Sequence, residues 1–432
     1  MKTPIVLLIA AALLLGRELS ADTQQAPAPV AAPAPNPLAV PDSEAQLPGV
    51  GPIWRSDWFK KNWNERRAGW AARVQQDQGA IVFVGDSITQ GWGDVGSSFP
   101  GVKVAVRGIS GDTTRGVLFR LPEDVIALNP KAVVILIGTN DLELKAEPET
   151  IAGNMRLIIE ALRRHDPKMP VVLCSVFPSS ATMSRPTSSI RALNSLYREL
   201  IADQPQVTYL DTFALFANVH GDAKEGEMPD LLHPNIVGYA KWAQALQPVF
   251  ETLGVVPAWP DEFTPETGFV SLFNGRDLSG WTYEGSGSLG GKTATDDGRY
   301  VVRNGRLVVT VSHAGQTYKK LWTTRSFPRD FVLKLEFRAS PNADSGIFVR
   351  EPQLQCRDFI LAGPYATLAG YRPLDWNEIV VTVRGGLAHC TCNGEVIADA
   401  MPVPPDGPIG LESDRGQMEY RRIRIMDGQQ GY

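Results

Sequence analysis

The chain has 432 residues, 43% of them hydrophobic and 21% charged, with a formal net charge of −5 at pH 7. That length exceeds one typical domain, so two or three are expected, each with apolar residues enough for its own core. A mildly acidic chain without a basic stripe argues against a nucleic-acid partner.

Met1-Lys2 followed by eleven apolar residues at 5–15 reads as a signal peptide. The stretch is too short to span a bilayer, and a cut near Ala21 assigns 1–21 to it. No cysteine lies nearby to carry a lipid anchor. The expectation is a secreted or periplasmic protein with no integral membrane segment after cleavage, the alternative being an uncleaved tether. Residues 22–50 are rich in Ala and Pro, including Ala26-Pro27-Ala28-Pro29, and read as a semi-extended, mobile linker.

From residue 51 the pattern changes. A Trp-rich helical stretch (Trp54, Trp58, Trp63, Trp70) precedes apolar, β-branched runs at 80–85, 102–106, 132–137, 171–176 and 207–210. These alternate with helical patterns at 113–128, 148–165, 186–203 and 235–252. Strand–helix alternation of this kind predicts an α/β fold over 51–253, a flavodoxin-like doubly wound parallel sheet.

The runs end in chemically pointed segments. Gly85-Asp86-Ser87 closes the first, and Gly108-Ile109-Ser110-Gly111-Asp112 follows the second. Gly138-Thr139-Asn140-Asp141 follows the third, and Asp230-Leu231-Leu232-His233-Pro234 lies on a later loop. Ser87, Gly111 and Asn140 should therefore line one sheet edge, where ligands bind in open α/β folds. A serine hydroxyl needs a base to become a nucleophile. His233 can serve near neutral pH, and Asp230 can hold its tautomer. The N–H groups of Ser87 and Gly111 and the amide of Asn140 supply three donors for an oxyanion.

Plainer readings apply to the neighbours. Asp112 and Asp141 read as helix N-caps, and Asp86 as a turn residue that orients Ser87. His165 belongs to a basic last helical turn, His220 to a polar loop, and Trp92 and Trp242 to the core. No histidine pair has ligand spacing and no Cys/His cluster is present, so neither a metal nor a cofactor is expected.

With these four segments in order, residues 50–253 resemble the SGNH (GDSL-type) hydrolases. The wording Gly108-Ile109-Ser110-Gly111-Asp112-Thr113-Thr114-Arg115 is similar to the branch of the platelet-activating-factor acetylhydrolase catalytic subunits and bacterial lysophospholipase/thioesterases. The resemblance implies Ser87 as nucleophile, Asp230 and His233 as its acid–base partners, and Ser87, Gly111 and Asn140 as oxyanion donors. Val106 stands where relatives often have asparagine, a position that is not catalytic.

Beyond a Pro-rich joint at 254–265, helical periodicity gives way to alternating strands over 266–428. Asn304-Gly305 and Asn393-Gly394 mark hairpins. An all-β jelly-roll sandwich is predicted. Gly268-Phe269-Val270-Ser271-Leu272-Phe273-Asn274-Gly275 and Asn342-Ala343-Asp344-Ser345-Gly346-Ile347-Phe348-Val349-Arg350 resemble the concanavalin-like 3-keto-disaccharide hydrolase domain. Relatives often carry Glu-x-Gln where this chain has Gln353-Leu354-Gln355, which puts glycoside hydrolysis by this half in question. Asp344, Arg350 and Glu412 are its candidate carbohydrate-binding residues, set against ordinary surface or turn charges. Cys174 reads as a buried thiol, the i, i+2 pair Cys390 and Cys392 is too far apart to bond, and a partner for Cys356 stays open.

The expected activity is that of an exported serine esterase acting on acetyl or other short acyl groups of carbohydrate. The alternatives are a lysophospholipase or thioesterase, and a carbohydrate-binding protein with an auxiliary esterase half. The joint predicts a C-terminal half that folds alone.

Overall fold

The structure, a computed structural model, describes residues 38–202, 204–258, 261–310, 319–358 and 364–428. The expected signal peptide at 1–21 and most of the Ala/Pro-rich linker lie outside the described residues.

Five short β-branched runs make a parallel sheet: β1 (Ile81–Gly85), β2 (Val104–Gly108), β3 (Ala132–Leu136), β4 (Val171–Cys174) and β5 (Val207–Leu210). Their order is β2-β1-β3-β4-β5, the flavodoxin-like arrangement whose switch point falls between β1 and β3. The helices are α1 (Asp57–Ala71), α2 (Ser87–Gly91), α3 (Val95–Ser98), α4 (Thr114–Asp124), α5 (Thr139–Glu143), α6 (Pro148–His165), α7 (Thr187–Leu200), α8 (Thr212–Phe216) and α9 (Ile236–Leu253). Alternate residues of β1 serve opposite faces. Val82 and Val84 pack with Val117, Ile158 and Leu193 of α4, α6 and α7, while Ile81 and Phe83 pack with Leu246 and Phe250 of α9. A sheet covered on both faces explains why the runs are continuously apolar. Trp92 and Trp242 pack against each other in the second layer, tilted by 31° with ring centroids 4.5 Å apart, as core residues.

Several boundaries differ from the sequence reading; β4 and α7 end two and three residues early, at Cys174 and Leu200. β2 starts two residues late because Phe99–Val102 closes a turn, Val102 N–H donating to Phe99 O. α4 stops at Asp124, two residues after Pro122, and a tighter 3-10 turn, Ile126–Leu128, completes the segment. The linker reading fails over 38–50: Val40 and Leu47 are buried with Phe59 and Trp63 of α1, and Leu38 O accepts from Trp63 Nε1 at 2.7 Å. The scattered apolar residues between the prolines fill a hollow beside α1, which composition alone does not show.

The C-terminal half is an antiparallel sandwich of β6 (Val270–Ser271), β7 (Trp281–Tyr283), β8 (Gly287–Ser288), β9 (Tyr300–Arg303), β10 (Arg306–Val309), β11 (Lys319–Ser326), β12 (Phe331–Ala339), β13 (Asp344–Val349), β14 (Gln353–Arg357), β15 (Asn377–Arg384), β16 (Leu387–Cys392), β17 (Glu395–Pro402), β18 (Pro408–Ser413) and β19 (Met418–Asp427). One sheet runs β17-β16-β15-β12-β19-β10-β9 with β6 beside β19, and the other runs β14-β13-β18-β11-β7-β8. Both predicted Asn-Gly turns are present, with positive φ at Asn304, Gly305, Asn393 and Gly394 as a type I′ hairpin requires. β12 alternates buried and half-buried residues, and its inward Leu333, Leu335 and Phe337 join the sandwich core. All four cysteines are buried and free, so Cys356 has no disulfide partner.

The two halves belong to one compact unit. Glu251, near the end of α9, accepts from Arg306 at 2.5 Å and from Arg338 at 3.1 Å, and both arginines also reach Glu419. Asn342 Nδ2 donates to Asp211 Oδ2 at 2.7 Å. Val255 and Val256 of the joint are buried in the α/β core, and Asp261 pairs with Arg422 at 2.9 Å. The joint is therefore anchored on the α/β side by Val255 and Val256 and on the sandwich side by Asp261. Among the described residues no helix is long and apolar enough to cross a membrane.

Candidate active site

The site sits on the carboxyl edge of the parallel sheet, at its switch point. Gly85 ends β1 against β3 and α2; a Cβ there would lie 2.2 Å from Leu136 O and 2.3 Å from Thr89 Oγ1. Only glycine fits this close approach at the strand end, from which the chain passes through Asp86 into α2, whose first residue is Ser87. As a first-turn residue, Ser87 has an N–H with no intrahelical acceptor. Asp86 caps α2 by accepting from Ile88 N–H at 2.9 Å. Tyr239 Oη donates to Ile88 O at 2.8 Å, which fixes α2 against α9.

The loop before α9 brings the base. Leu231 takes a left-handed φ of 59°, and this turn lets Leu232 N–H (3.0 Å) and His233 N–H (2.7 Å) both donate to Asp230 Oδ1. Asp230 Oδ2 lies 2.7 Å from His233 Nδ1, and His233 Nε2 lies 2.9 Å from Ser87 Oγ. A carboxylate can only accept, so Nδ1 carries the proton and Nε2 is left to accept from the serine hydroxyl. Burial pushes the Asp230 carboxyl up, but hydrogen bonds from the His233 backbone and side chain and from Leu232 outweigh it, and its pKa lies below the ordinary value. The group stays ionised beside the imidazole.

The second and third loops are tied to this pair. Gly111 has a φ of +84°, and its position is flanked by Phe59 and Trp58 of α1. Ser110 N–H donates to Gln90 Oε1 of α2 at 2.8 Å. Asn140, 5% exposed, donates from Nδ2 to Asp112 O at 3.0 Å and accepts at Oδ1 from Arg185 Nη2 at 3.4 Å. These two partners orient the amide, and its second N–H remains for a ligand. The structure thus brings Ser87, Gly111, Asn140, Asp230 and His233 into one cluster.

No motif in the sequence marks Arg185, a single basic residue between Ser184 and Pro186. It is 2% exposed and also donates to Thr139 O at 3.1 Å and Met183 O at 2.7 Å, and it pairs with Glu143.

Asp112 and Asp141 differ from their expected roles. Thr113, not Asp112, is the N-cap of α4. Asp112 pairs with Arg120 at 2.8 Å, and neither side chain is exposed. Asp141 lies inside α5 and caps the neighbouring helix, accepting from Thr114 N–H at 3.0 Å and Thr114 Oγ1 at 2.6 Å. Burial pushes Asp86 and Asp141 up to about 7 and Asp112 up to about 6. Asp86 Oδ2 is buried without a hydrogen-bond partner.

Of the candidate residues of the sandwich, Asp344 and Glu412 are neighbours and Arg350 does not join them. Asp344 and Glu412 lie on adjacent strands, β13 and β18. Asp344 is 8% exposed and pairs with Arg357 (3.1 Å) and Arg415 (3.4 Å), while Glu412 accepts from Gln353 Nε2 at 2.5 Å. Arg350, 5% exposed, sits apart at a φ of 69° and donates to Pro404 O and Arg329 O, both at 2.6 Å. Its donors hold two loops together, so it is a structural strut; neither it nor Asp344 is an ordinary surface charge. Among the described residues no group of His, Cys, Asp and Glu could hold a metal ion.

Residues 83–241 match the GDSL-like Lipase/Acylhydrolase family. The chain carries a GDSL-like lipase/acylhydrolase domain. This domain places it among the ester-bond hydrolases. Residues 268–426 match the 3-keto-alpha-glucoside-1,2-lyase-like domain. The acylhydrolase half is similar to platelet-activating factor acetylhydrolase IB subunit alpha2 of Homo sapiens, 26% identical over 218 residues that cover 49% of this chain and 89% of that protein. It is also similar to an acetylxylan esterase of Geobacillus stearothermophilus, 25% identical over 198 residues covering 38% of this chain and 90% of that one. Among solved structures, a GDSL-like lipase from Bacteroides thetaiotaomicron is 26% identical, with a TM-score of 0.38, covering 44% of this chain and 97% of that one.

Proposed function

We propose that this protein is an exported serine esterase that removes acetyl or other short acyl groups from carbohydrate. The observation that carries the esterase reading is the run of contacts from Ser87 Oγ through His233 to Asp230, at 2.9 and 2.7 Å. Ser87 Oγ attacks the ester carbonyl carbon while His233 Nε2 takes its proton. Asp230 stabilises the imidazolium. Negative charge on the carbonyl oxygen is met by the N–H groups of Ser87 and Gly111 and the free N–H of Asn140. The tetrahedral adduct collapses, the sugar hydroxyl departs with the proton from His233, and an acyl-Ser87 remains. Water, deprotonated by His233, then releases the acid.

The carbohydrate part rests on two supports: a glycoside-type domain in the same chain, and the relative that bears the name acetylxylan esterase. We assign the sandwich the task of binding or processing glycosides. A lysophospholipase- or thioesterase-like activity is the second reading, favoured by the platelet-activating-factor acetylhydrolase relative. Hydrolysis of p-nitrophenyl acetate by the wild type but not by Ser87→Ala tests the esterase reading. A panel of acetylated oligosaccharides against long-chain lysolipids then separates the two substrate classes, and turnover confined to lysolipids would overturn the carbohydrate assignment.

A further inference from the structure

Trp58 is an anomaly for its residue type. It is 61% exposed, although large aromatic side chains gain much from burial. The other tryptophans of α1, Trp63 and Trp70, lie at 0% and 8%. Trp58 is in the first turn of α1, whose start is fixed by the Ser56 cap on Phe59 N–H. Phe59 next to it is fully buried and anchors the turn.

Its location gives the exposure a meaning. The Cζ3 edge of the indole lies 3.5 Å from where a Cβ on Gly111 would stand, so the ring borders the loop that carries one of the three oxyanion donors. That loop is held to α2 by the Ser110–Gln90 bond and to Asn140 through Asp112 O. A substrate whose carbonyl oxygen points at Gly111 N–H therefore has the indole beside its ester group.

We propose that Trp58 is a stacking platform for a sugar ring of the acylated substrate. This rests on the esterase reading above and specifies how the site selects its substrate. A pyranose has one face of polarised C–H groups and a rim of hydroxyls. The electron-rich indole face suits the former. The surroundings suit the latter: Asp57 and Lys61 are exposed beside Trp58, and Lys61 pairs with Glu65 one turn on. An acyl chain or lipid surface needs a continuous apolar trough. Here the indole stands in charged company on its own helix face, and the exposed Trp54, four residues earlier, lies outside that helix.

The test uses the full chain and two readouts. In steady-state kinetics, Trp58→Ala should raise KM for an acetylated xylo-oligosaccharide by about tenfold to a hundredfold, the range of an aromatic stacking contact. Its loss on that substrate should exceed its loss on ethyl acetate by at least about tenfold. Trp58→Phe should recover most of the difference. In calorimetry, Ser87→Ala should bind the acetylated oligosaccharide, and Ser87→Ala with Trp58→Ala should bind it about tenfold or more weakly. Equal losses on both esters would overturn the proposal, showing that Trp58 acts by packing on the Gly111 loop. A larger loss on lysophosphatidylcholine than on the oligosaccharide would overturn it in favour of a lipid contact, and so would unchanged binding. Hydrolysis that does not depend on Ser87 would instead remove the esterase reading, whatever the binding data show.

Discussion

Arg185 Nη2 donates to Asn140 Oδ1 across 3.4 Å, while the same guanidinium holds Thr139 O and Met183 O. The orientation of the Asn140 amide is thereby set from behind by a residue outside all four sequence motifs. Lysine has no planar fork and only three donors, so it cannot serve these three acceptors and Glu143 together. Arg185→Lys should lower kcat on a small acetate ester by about tenfold with little change in KM, because the oxyanion exists only in the transition state. Arg185→Met should cost more, up to the roughly 10²- to 10³-fold of a lost oxyanion donor. The kcat-against-KM split checks this, and a thermal melt distinguishes it from unfolding.

Ser87→Ala should reduce ester turnover by at least about 10³-fold, the scale on which removal of a catalytic serine acts elsewhere. The fold should be kept, since the Asp86 cap on Ile88 and the Asp230–His233 contact do not involve the hydroxyl. Initial rates on p-nitrophenyl acetate together with circular dichroism decide the matter.

Asp86 carries a folded-state pKa raised by burial from 3.8 to about 7. The unfolded chain therefore releases this proton first as pH rises. The contribution is neutral below the unfolded value and destabilising through the window from about 4 to 7, with the full loss present above it. Asp112 and Asp141, raised by the same cause, add slopes of the same sign. Asp86→Asn keeps an acceptor for Ile88 N–H and removes the ionisation. Its stability should match wild type near pH 4 and exceed it at pH 8 by an amount on the order of a few kcal/mol. Denaturant titrations at the two pH values measure this; equal stability at pH 8 would contradict it.

Arg120 and Asp112 form a fully buried pair, and Arg120 also donates to Gly85 O and Arg107 O and faces the Trp63 and Trp70 rings. Removing one charge strands the other. Arg120→Met should destabilise the protein by about 3–5 kcal/mol, whereas surface pairs such as Lys61–Glu65 should matter by less than about 1 kcal/mol. Urea midpoints of the two variants compare them directly.

A chain ending at Pro257 should keep hydrolysis of small soluble esters near the full-length rate. The residues around Ser87 come from the α/β half, and this cut retains the buried Val255 and Val256. Glu251 regains water in place of Arg306 and Arg338, while the α/β core gives up Leu374 of the sandwich, which lies on the cluster of Phe177 and Trp242. The excised sandwich instead keeps both arginines with only Glu419 between them, and it should be the less stable fragment. A marked loss of p-nitrophenyl acetate activity in the shortened chain would mean that the sandwich shapes the site.

The sequence alone determined whatever depends on local pattern. Continuous apolar runs meant strands covered on both faces, and Asn-Gly meant hairpin turns, because only a few residues tolerate positive φ at both turn positions. The five candidate residues of the α/β site were legible because each lies at a strand end or on a short Asp-x-x-His loop, where local geometry already fixes direction. Tertiary structure decided what depends on which helices meet. Asp141 caps α4 and not its own helix, and Asp112 answers Arg120. Arg185 and Trp58 reach the site from segments with no motif, and Arg350 spends its charge on backbone carbonyls. Residues 38–50 pack despite their prolines. In each case the partner is distant in sequence, and burial sets the energy of the contact. A charge or an aromatic ring has its role fixed by what surrounds it, and a linear pattern carries no record of those surroundings.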